Sequence, residues 1–387
     1  MKLNKDSETL DEVVHLIQYA FLKKNDLKKD INFMSRYEHS DGYGTFHDGK
    51  LASYIMSNHF ESKIFDQEVK MSGIGYVSSY PENRGHGDVS RLMKEILRNL
   101  NETGVSLSNL APWSETFYRQ YGYENSIYQK RYSIDPAMFR YFKSPKTGRV
   151  LRGDWSNSKL KELIIKLYQN QINSGQERNT VIRRKWWWDR LETYYPGRYA
   201  VVYVDDNQIP QAYMFYRLLN NKFKVDEIYY TDEVSVTALL NFIGGHISTC
   251  TEFEIEAPEE SLIEEYFPDQ SGLRITTHPY MMSRIVDFTK IVSAVKFIGE
   301  RSVNLEVLDD QICPWNTGVW HLVNDSNHLS CIKTDDKPDF AGSITNWTKV
   351  LLGHLTLEQA VSLGLIKALS SKKIEFMAGK VSFYDYF

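Results

Sequence analysis

Cysteine is scarce in this 387-residue chain: Cys250, Cys313 and Cys331 are too few and too far apart for a disulfide framework or a Cys-x-x-Cys zinc knuckle. Ten histidines are present, but none falls in a His-Glu-x-x-His or comparable spacing, so no metal is expected. Long apolar runs are missing too. None approaches the roughly 18 residues that cross a bilayer, and Met-Lys-Leu-Asn-Lys-Asp opens a charged amphipathic segment instead of a signal-peptide stretch. The reading is a cytoplasmic protein without a membrane partner. Charge of one sign is also lacking: 46 Lys and Arg against 50 Asp and Glu leave −4, which argues against capture of nucleic acid by the protein as a whole.

The chain does hold enough residues for two to three domains, and its 42% hydrophobic and 25% charged residues suit globular folding. Thr9-Leu10-Asp11-Glu12 has capping-box spacing and opens a helix with Leu10, Val13, Val14, Ile17 and Phe21 on one face. Tyr43 to His47 and Lys50 to Phe60 read as a hairpin around Asp48-Gly49, and Val69 to Ser79 as a third strand. A polar, glycine-rich turn then runs from Glu82 to Asp88. It leads into a second helix with Val89, Leu92, Met93, Ile96, Leu97 and Leu100, followed by a strand over 105–110. Helices packed on a sheet, an α/β arrangement, follow from this order. The middle of the chain repeats the grammar without the glycine turn, as a degenerate second copy: helices near Lys159–Ile172 and Thr180–Leu191, strands at 199–204, 209–218 and 223–230, a helix around Val234–Phe242 and a strand at 253–255. Beyond Ser283 come short strands (304–308, 318–324, 329–333) and helices near 347–352 and 357–363, a smaller α+β domain that ends in Phe383-Tyr384-Asp385-Tyr386-Phe387.

The sharpest chemical signal is Arg84-x-x-Gly87, set between a strand and a helix. Backbone N–H groups of Arg84, Gly85, His86 and Gly87, together with the helix N-terminus, can cradle a pyrophosphate. A Rossmann fingerprint would need a glycine at Ser90, and a Walker loop would need Gly-Lys-Ser/Thr, which is absent. What remains resembles the pyrophosphate turn of the GNAT acyltransferases, Arg/Gln-x-x-Gly-x-Gly/Ala, with Val89 departing at the last position. Phe117-Tyr118-Arg119-Gln120-Tyr121-Gly122-Tyr123 looks like the GNAT segment whose tyrosine protonates the coenzyme A thiolate. Over its whole length the chain resembles the enhanced intracellular survival (Eis-like) N-acetyltransferases. The resemblance implies a catalytic GNAT domain over residues 1–145, a second GNAT-like domain lacking the cofactor motif over 146–283, and a sterol-carrier-protein-like domain over 284–387.

It further implies acetyl-CoA as cosubstrate, Tyr118 as general acid, strand amides near Val77 and Ser79 on the pantetheine arm, and a hexameric assembly. The terminal Phe387 would return its carboxylate to the first domain's active site. The acceptor would be a primary amine: an aminoglycoside, a polyamine or a lysine. Family carboxylates before the terminal phenylalanine and after the first helix are here Tyr386 and Lys23, which argues against strong aminoglycoside acetylation. Two rivals stand beside this reading. A peptidoglycan-type aminoacyl transferase pairs GNAT-like domains but lacks the coenzyme A turn, which Arg84–Gly87 supplies here. A lipid carrier with a vestigial acyltransferase domain would not need Tyr118 and Phe387 together. With 25 tyrosines in the chain, only motif position singles out Tyr118. Arg183-Arg184-Lys185 before Trp186-Trp187-Trp188 reads as a solvated face over a packed one, and Glu252, Glu254 and Glu256 as the wet face of a strand.

Overall fold

The computed structural model describes residues 1–325 and 328–387. The first third runs α1 (Ser7–Ala20), α2 (Ile31–Glu38), β1 (Ser40–His47), β2 (Lys50–Ile64), β3 (Gln67–Ser79), α3 (Asp88–Glu102), β4 (Leu107–Leu110), α4 (Glu115–Arg119) and β5 (Glu124–Ile134). The middle runs β6 (Arg149–Asp154), α5 (Ser158–Ile172), β7 (Arg178–Val181), α6 (Lys185–Tyr194), β8 (Tyr199–Val204), β9 (Pro210–Leu219), β10 (Lys222–Tyr230), α7 (Glu233–Gly244), β11 (Glu252–Pro258) and β12 (Leu273–Ile285). The last part holds α8 (Phe288–Ala294), β13 (Phe297–Gly299), β14 (Ser302–Val307), β15 (Gly318–Asp325), β16 (His328–Thr334), β17 (Phe340–Gly342), α9 (Ile344–Leu351), α10 (Leu357–Ser362), β18 (Ile366–Ala368) and β19 (Ile374–Phe376).

The two sheets expected from the tandem copies are one. Strands run β1-β2-β3-β4-β12-β5-β11-β10-β9-β8-β6, with β7 added on β2. The join is made by β12, the last strand of the second copy, which inserts antiparallel between β4 and β5 of the first. β5 in turn pairs β11 on its other side. The third domain has its own five-stranded sheet, β16-β15-β14-β17-β18, and a two-stranded ribbon of β13 and β19. Its core is continuous with the first domain's, with Trp347, Leu351 and Phe383 in the same buried cluster as Phe60 and Met71. The fold is therefore mixed α/β: two tandem copies of one layout that share a sheet, and a smaller α+β domain.

Local sequence accounts for most boundaries. Asp48 and Gly49 both take left-handed φ, 50° and 77°, as a two-residue hairpin turn needs. Two expectations are corrected: α1 is capped by Asp6, whose side chain accepts from Thr9 N at 2.8 Å, and not by Thr9, and residues 180–191 are not a single helix. Arg178–Val181 forms β7 against β2, and α6 starts only at Lys185. The β-branched pair Thr180-Val181 favours a strand where a free sheet edge is available, and that edge cannot be read from local periodicity. No helix among the described residues is long and apolar enough to cross a membrane.

Candidate active site

β3 carries the geometry. It pairs in parallel with β4 through Met71–Ile74, yet it runs on to Ser79, so Gly75 to Ser79 leave β4 and open a gap. Its other edge follows β2 with a register shift between Tyr54 and Met56, and Tyr76 in the bulge has φ 49°. Past the parting of the strands, amides near Val77 and Ser79 lie on an edge with no β4 partner.

From the end of β3, Pro81–Asn83 makes one 3-10 turn, and Arg84, Gly85, His86 and Gly87 lead into α3, all four exposed. Gly85 and Gly87 have φ of 83° and 78°, and a Cβ built on either meets nothing within 4 Å. Gly87 caps α3 without a side-chain hydrogen bond. The first backbone bond of the helix is Arg91 N to Gly87 O; Arg84 N is already taken by Pro81 O at 3.2 Å, while no backbone bond takes the amides of Gly85, His86 and Gly87 among the described residues. Asp88 in the first turn would repel an anion, but its buried carboxylate is held by His47 at 2.8 Å and by Arg91. Val89 packs against the core of the first domain, so its departure from the motif spelling leaves the turn open. The turn and the free β3 edge thus fit a pyrophosphate and a linear amide chain.

Tyr118 sits in α4 and is 2% exposed, packed with Ile74, Leu110, Tyr121 and Tyr123. Burial pushes its phenol above the ordinary tyrosine value; a hydrogen bond with Trp113 works against this, and Tyr121 and Tyr386 add to it. It therefore keeps its proton at neutral pH.

Phe387 lies over the glycines of β3. A Cβ on Gly73 would meet its ring at 2.7 Å, and one on Gly75 would sit 3.2 Å from its terminal carbonyl carbon and 3.6 Å from Asn58 Nδ2. Only glycine admits such an approach. Gly73 and Gly75 face the side of the sheet that α1 and α2 cover, whereas Ile74 between them faces α3 and Tyr118. Tyr118 and Phe387 thus pack on opposite faces of β3, the one in a cluster with Ile74 and the other on Gly73 and Gly75.

The tail is anchored by Arg183, which the sequence reading placed on a solvated face, and by Trp187, which it placed on the packed one. Arg183 bonds Asp385 at 2.8 Å and Glu227 at 2.8 and 3.0 Å, and Trp187 Nε1 donates to Asp385 at 2.5 Å. Arg183 and Trp187 are both buried. The Phe387 ring packs 5.0 Å from Phe60, which touches Trp187 edge-on. Gln129 donates to Phe383 O at 3.1 Å, and Glu177 accepts from the Ser382 hydroxyl at 3.1 Å. Glu256 is likewise not on a wet face: it is buried and paired with Arg131 at 2.7 Å, while Glu252 stays exposed. Among the described residues no group of three or more His, Cys, Asp and Glu could hold a metal.

Comparison with known proteins bears on this geometry. Residues 4–126 and 180–285 each match an acetyltransferase (GNAT) domain, and residues 288–378 match a sterol carrier protein domain. An uncharacterized N-acetyltransferase of Streptomyces avermitilis is 22% identical over 319 residues, 78% of this chain and 76% of the relative. A probable N-acyltransferase of Enterococcus faecalis, of known structure, is 28% identical and superposes with a TM-score of 0.87, covering 100% of this chain and 99% of its own. Eis1 of Mycobacterium abscessus, at 17% identity, has a TM-score of 0.81 with 100% and 99% coverage, which speaks to the fold.

Proposed function

We propose that this chain, an acyltransferase by its GNAT domains, moves the acetyl group of acetyl-CoA to a primary amine by direct transfer in a ternary complex. The observation that carries the reading is the packing of Tyr118 with Ile74 and of the Phe387 carboxyl group on Gly75, on opposite faces of β3 where it parts from β4. Gly85, His86 and Gly87 would hold the pyrophosphate through backbone amides, with the exposed Arg84 side chain beside them, since Arg84 N is bonded to Pro81 O, and Val77 and Ser79 would hold the pantetheine arm. Acetyl-CoA, when bound, supplies an activated acetyl thioester.

The remaining work falls to the chain's own groups. Attack by an amine requires loss of a proton, and a departing thiolate requires one. Tyr118, protonated at neutral pH, donates to sulfur from the α3 side. The Phe387 carboxylate, with a reference pKa near 3.5, is a weak base toward an ammonium of about 10. It therefore draws the amine in, strips its solvent and passes the proton through a water. Cytoplasmic location and a hexameric assembly belong to the same proposal.

Thermal melting of untagged protein with and without acetyl-CoA, followed by thiol release across a panel of amines, tests the reading. A cofactor-dependent rise in melting temperature with amine-dependent release supports it; neither would leave the carrier reading in front. Tyr118→Phe is expected to cut turnover about 10²-fold while keeping the cofactor-induced shift. Unchanged turnover removes Tyr118 from the chemistry.

A further inference from the structure

Two arginines converge on the acceptor side of the β3 gap. Arg36 comes from α2 and Arg190 from α6, and neither is within ion-pair distance of a carboxylate side chain among the described residues. Arg190 is 1% exposed. Its guanidinium is sandwiched between the rings of Trp187 at 4.1 Å and Tyr194 at 3.9 Å. Its Nε and Nη1 have no hydrogen-bond partner, and its Nη2 reaches the Tyr386 carbonyl at 3.4 Å. Burial, and then the charge of Arg36, hold it down to about 10. Arg36 donates from Nε to Asn32 O at 3.0 Å, bonds the Tyr76 hydroxyl and lies over that ring at 4.5 Å. Tyr76 is the residue after Gly75, the glycine beneath the Phe387 carboxyl group.

The carboxylates that reach this face are already engaged or lie elsewhere. Asp30 caps α2 with one oxygen, on Asn32 N at 2.8 Å, and takes the Asn25 amide with the other at 2.8 Å. Glu12 accepts from Leu51 N, and Glu82 is exposed beyond the end of β3. A small cavity of about 190 Å³ continues from Arg190, Tyr194 and Tyr386 toward Arg131, Tyr280 and Asp385, and more cationic than anionic side chains line it. The two guanidinium groups lie close enough for the charge of Arg36 to act on Arg190, and no salt bridge joins either to a carboxylate among the described residues.

We propose that the acceptor is an amine that also bears a carboxylate, and that Arg36 and Arg190 take that carboxylate while the amine meets the gap beside Phe387. Burying a guanidinium without a counter-charge is costly, and stacking between two rings offsets that cost only in part. A ligand carboxylate supplies the missing charge, and guanidinium donors match it in geometry. A polycation would instead meet two like charges. The aromatic rings of Tyr76, Tyr194 and Tyr386 suit the carbon frame that joins the two groups.

This inference rests on the acetyl-transfer reading, and one matched series separates the two. Lysine, lysinamide and cadaverine carry the same side-chain amine, but only lysine has a carboxylate. The kcat/KM for thiol release is expected to be roughly 10- to 100-fold higher with lysine than with either analogue. Arg36→Gln, the milder change because Arg36 is at the edge of burial, should bring lysine down toward lysinamide through KM. Arg190→Lys, which keeps a cation but loses the planar fork stacked between two rings, should weaken lysine at least as much. Equal or better use of cadaverine and lysinamide overturns the carboxylate site while leaving acetyl transfer standing. No amine-dependent release with any of the three overturns both.

Discussion

The two GNAT domains repeat one layout and end it differently. In the first, β3 parts from β4 after Ile74, and α3 begins at Gly87 with no side chain over its first amides. In the second, β10 runs parallel to β11 only through Val225 and then leaves it, with a register shift before Glu227, so the same gap is built. There it is filled. The Tyr384 hydroxyl donates to Ile228 O at 2.9 Å, and Arg183 joins Glu227 of β10 to Asp385 of the tail. The amides of α7 are closed by Asp232 and Ser235, a reciprocal capping box. One copy keeps an open anion cradle and an open strand edge; the other spends both on its own chain. The second domain is thus a socket for the tail, and the tail lays Phe387 across the first domain's glycines.

Closing the open end of α3 should erase the difference between the copies. Gly87→Glu puts a carboxylate beside the free amides, and acetyl-CoA affinity is expected to fall about 10²-fold, read as loss of the cofactor-induced melting shift. Because Gly87 has φ 78°, any side chain there is strained by about 1 kcal/mol. Gly87→Ala carries that strain without the charge, and nothing stands within 4 Å of its Cβ. It should bind the cofactor far better than the glutamate variant; equal loss in both would show that the turn acts through shape alone.

Freeing the tail tests the other half of the comparison. Asp385→Ala leaves Arg183 with Glu227 but strips its second anion and the Trp187 indole of its acceptor. Losing the two buried hydrogen bonds to that carboxylate costs about 3 kcal/mol. The expected outcome is a large fall in turnover with the acetyl-CoA melting shift retained, since the cofactor turn lies in the other copy. Loss of cofactor binding as well would mean that the tail supports the whole gap.

Sequence patterning reached the open copy more easily than the socket. The Arg84–Gly87 turn between β3 and α3 and the short helix that carries Tyr118 are legible because glycines and aromatics at short spacing mark them locally. Arg183, Trp187 and Arg190 are not, since their partners lie about two hundred residues away at Asp385 and Tyr386. An Arg-Arg-Lys run beside three tryptophans reads locally as a surface over a core. The apolar tail was a signal that something must bury it, yet nothing in the spacing said what. The insertion of β12 between β4 and β5 was equally hidden, because strand order in a sheet is set by long-range pairing.

The smallest effect expected is the most discriminating one. Asp232 accepts from Ser235 N at 2.8 Å, and Ser235 Oγ accepts from Asp232 N at 3.2 Å, so Asp232→Ala uncaps α7 and opens its amides as those of α3 are open. Loss of an N-cap costs about 1 kcal/mol, a modest fall in melting temperature for a chain of this size. If an uncapped helix end alone made a coenzyme A site, the variant should gain a second, weak cofactor-binding event by calorimetry. None is expected, because Tyr384 and Glu227 still fill the β10 gap and no glycine turn precedes α7. Binding at one site in both proteins would fix the difference between the copies in the strand gap and its occupant; two sites would move it to the helix cap.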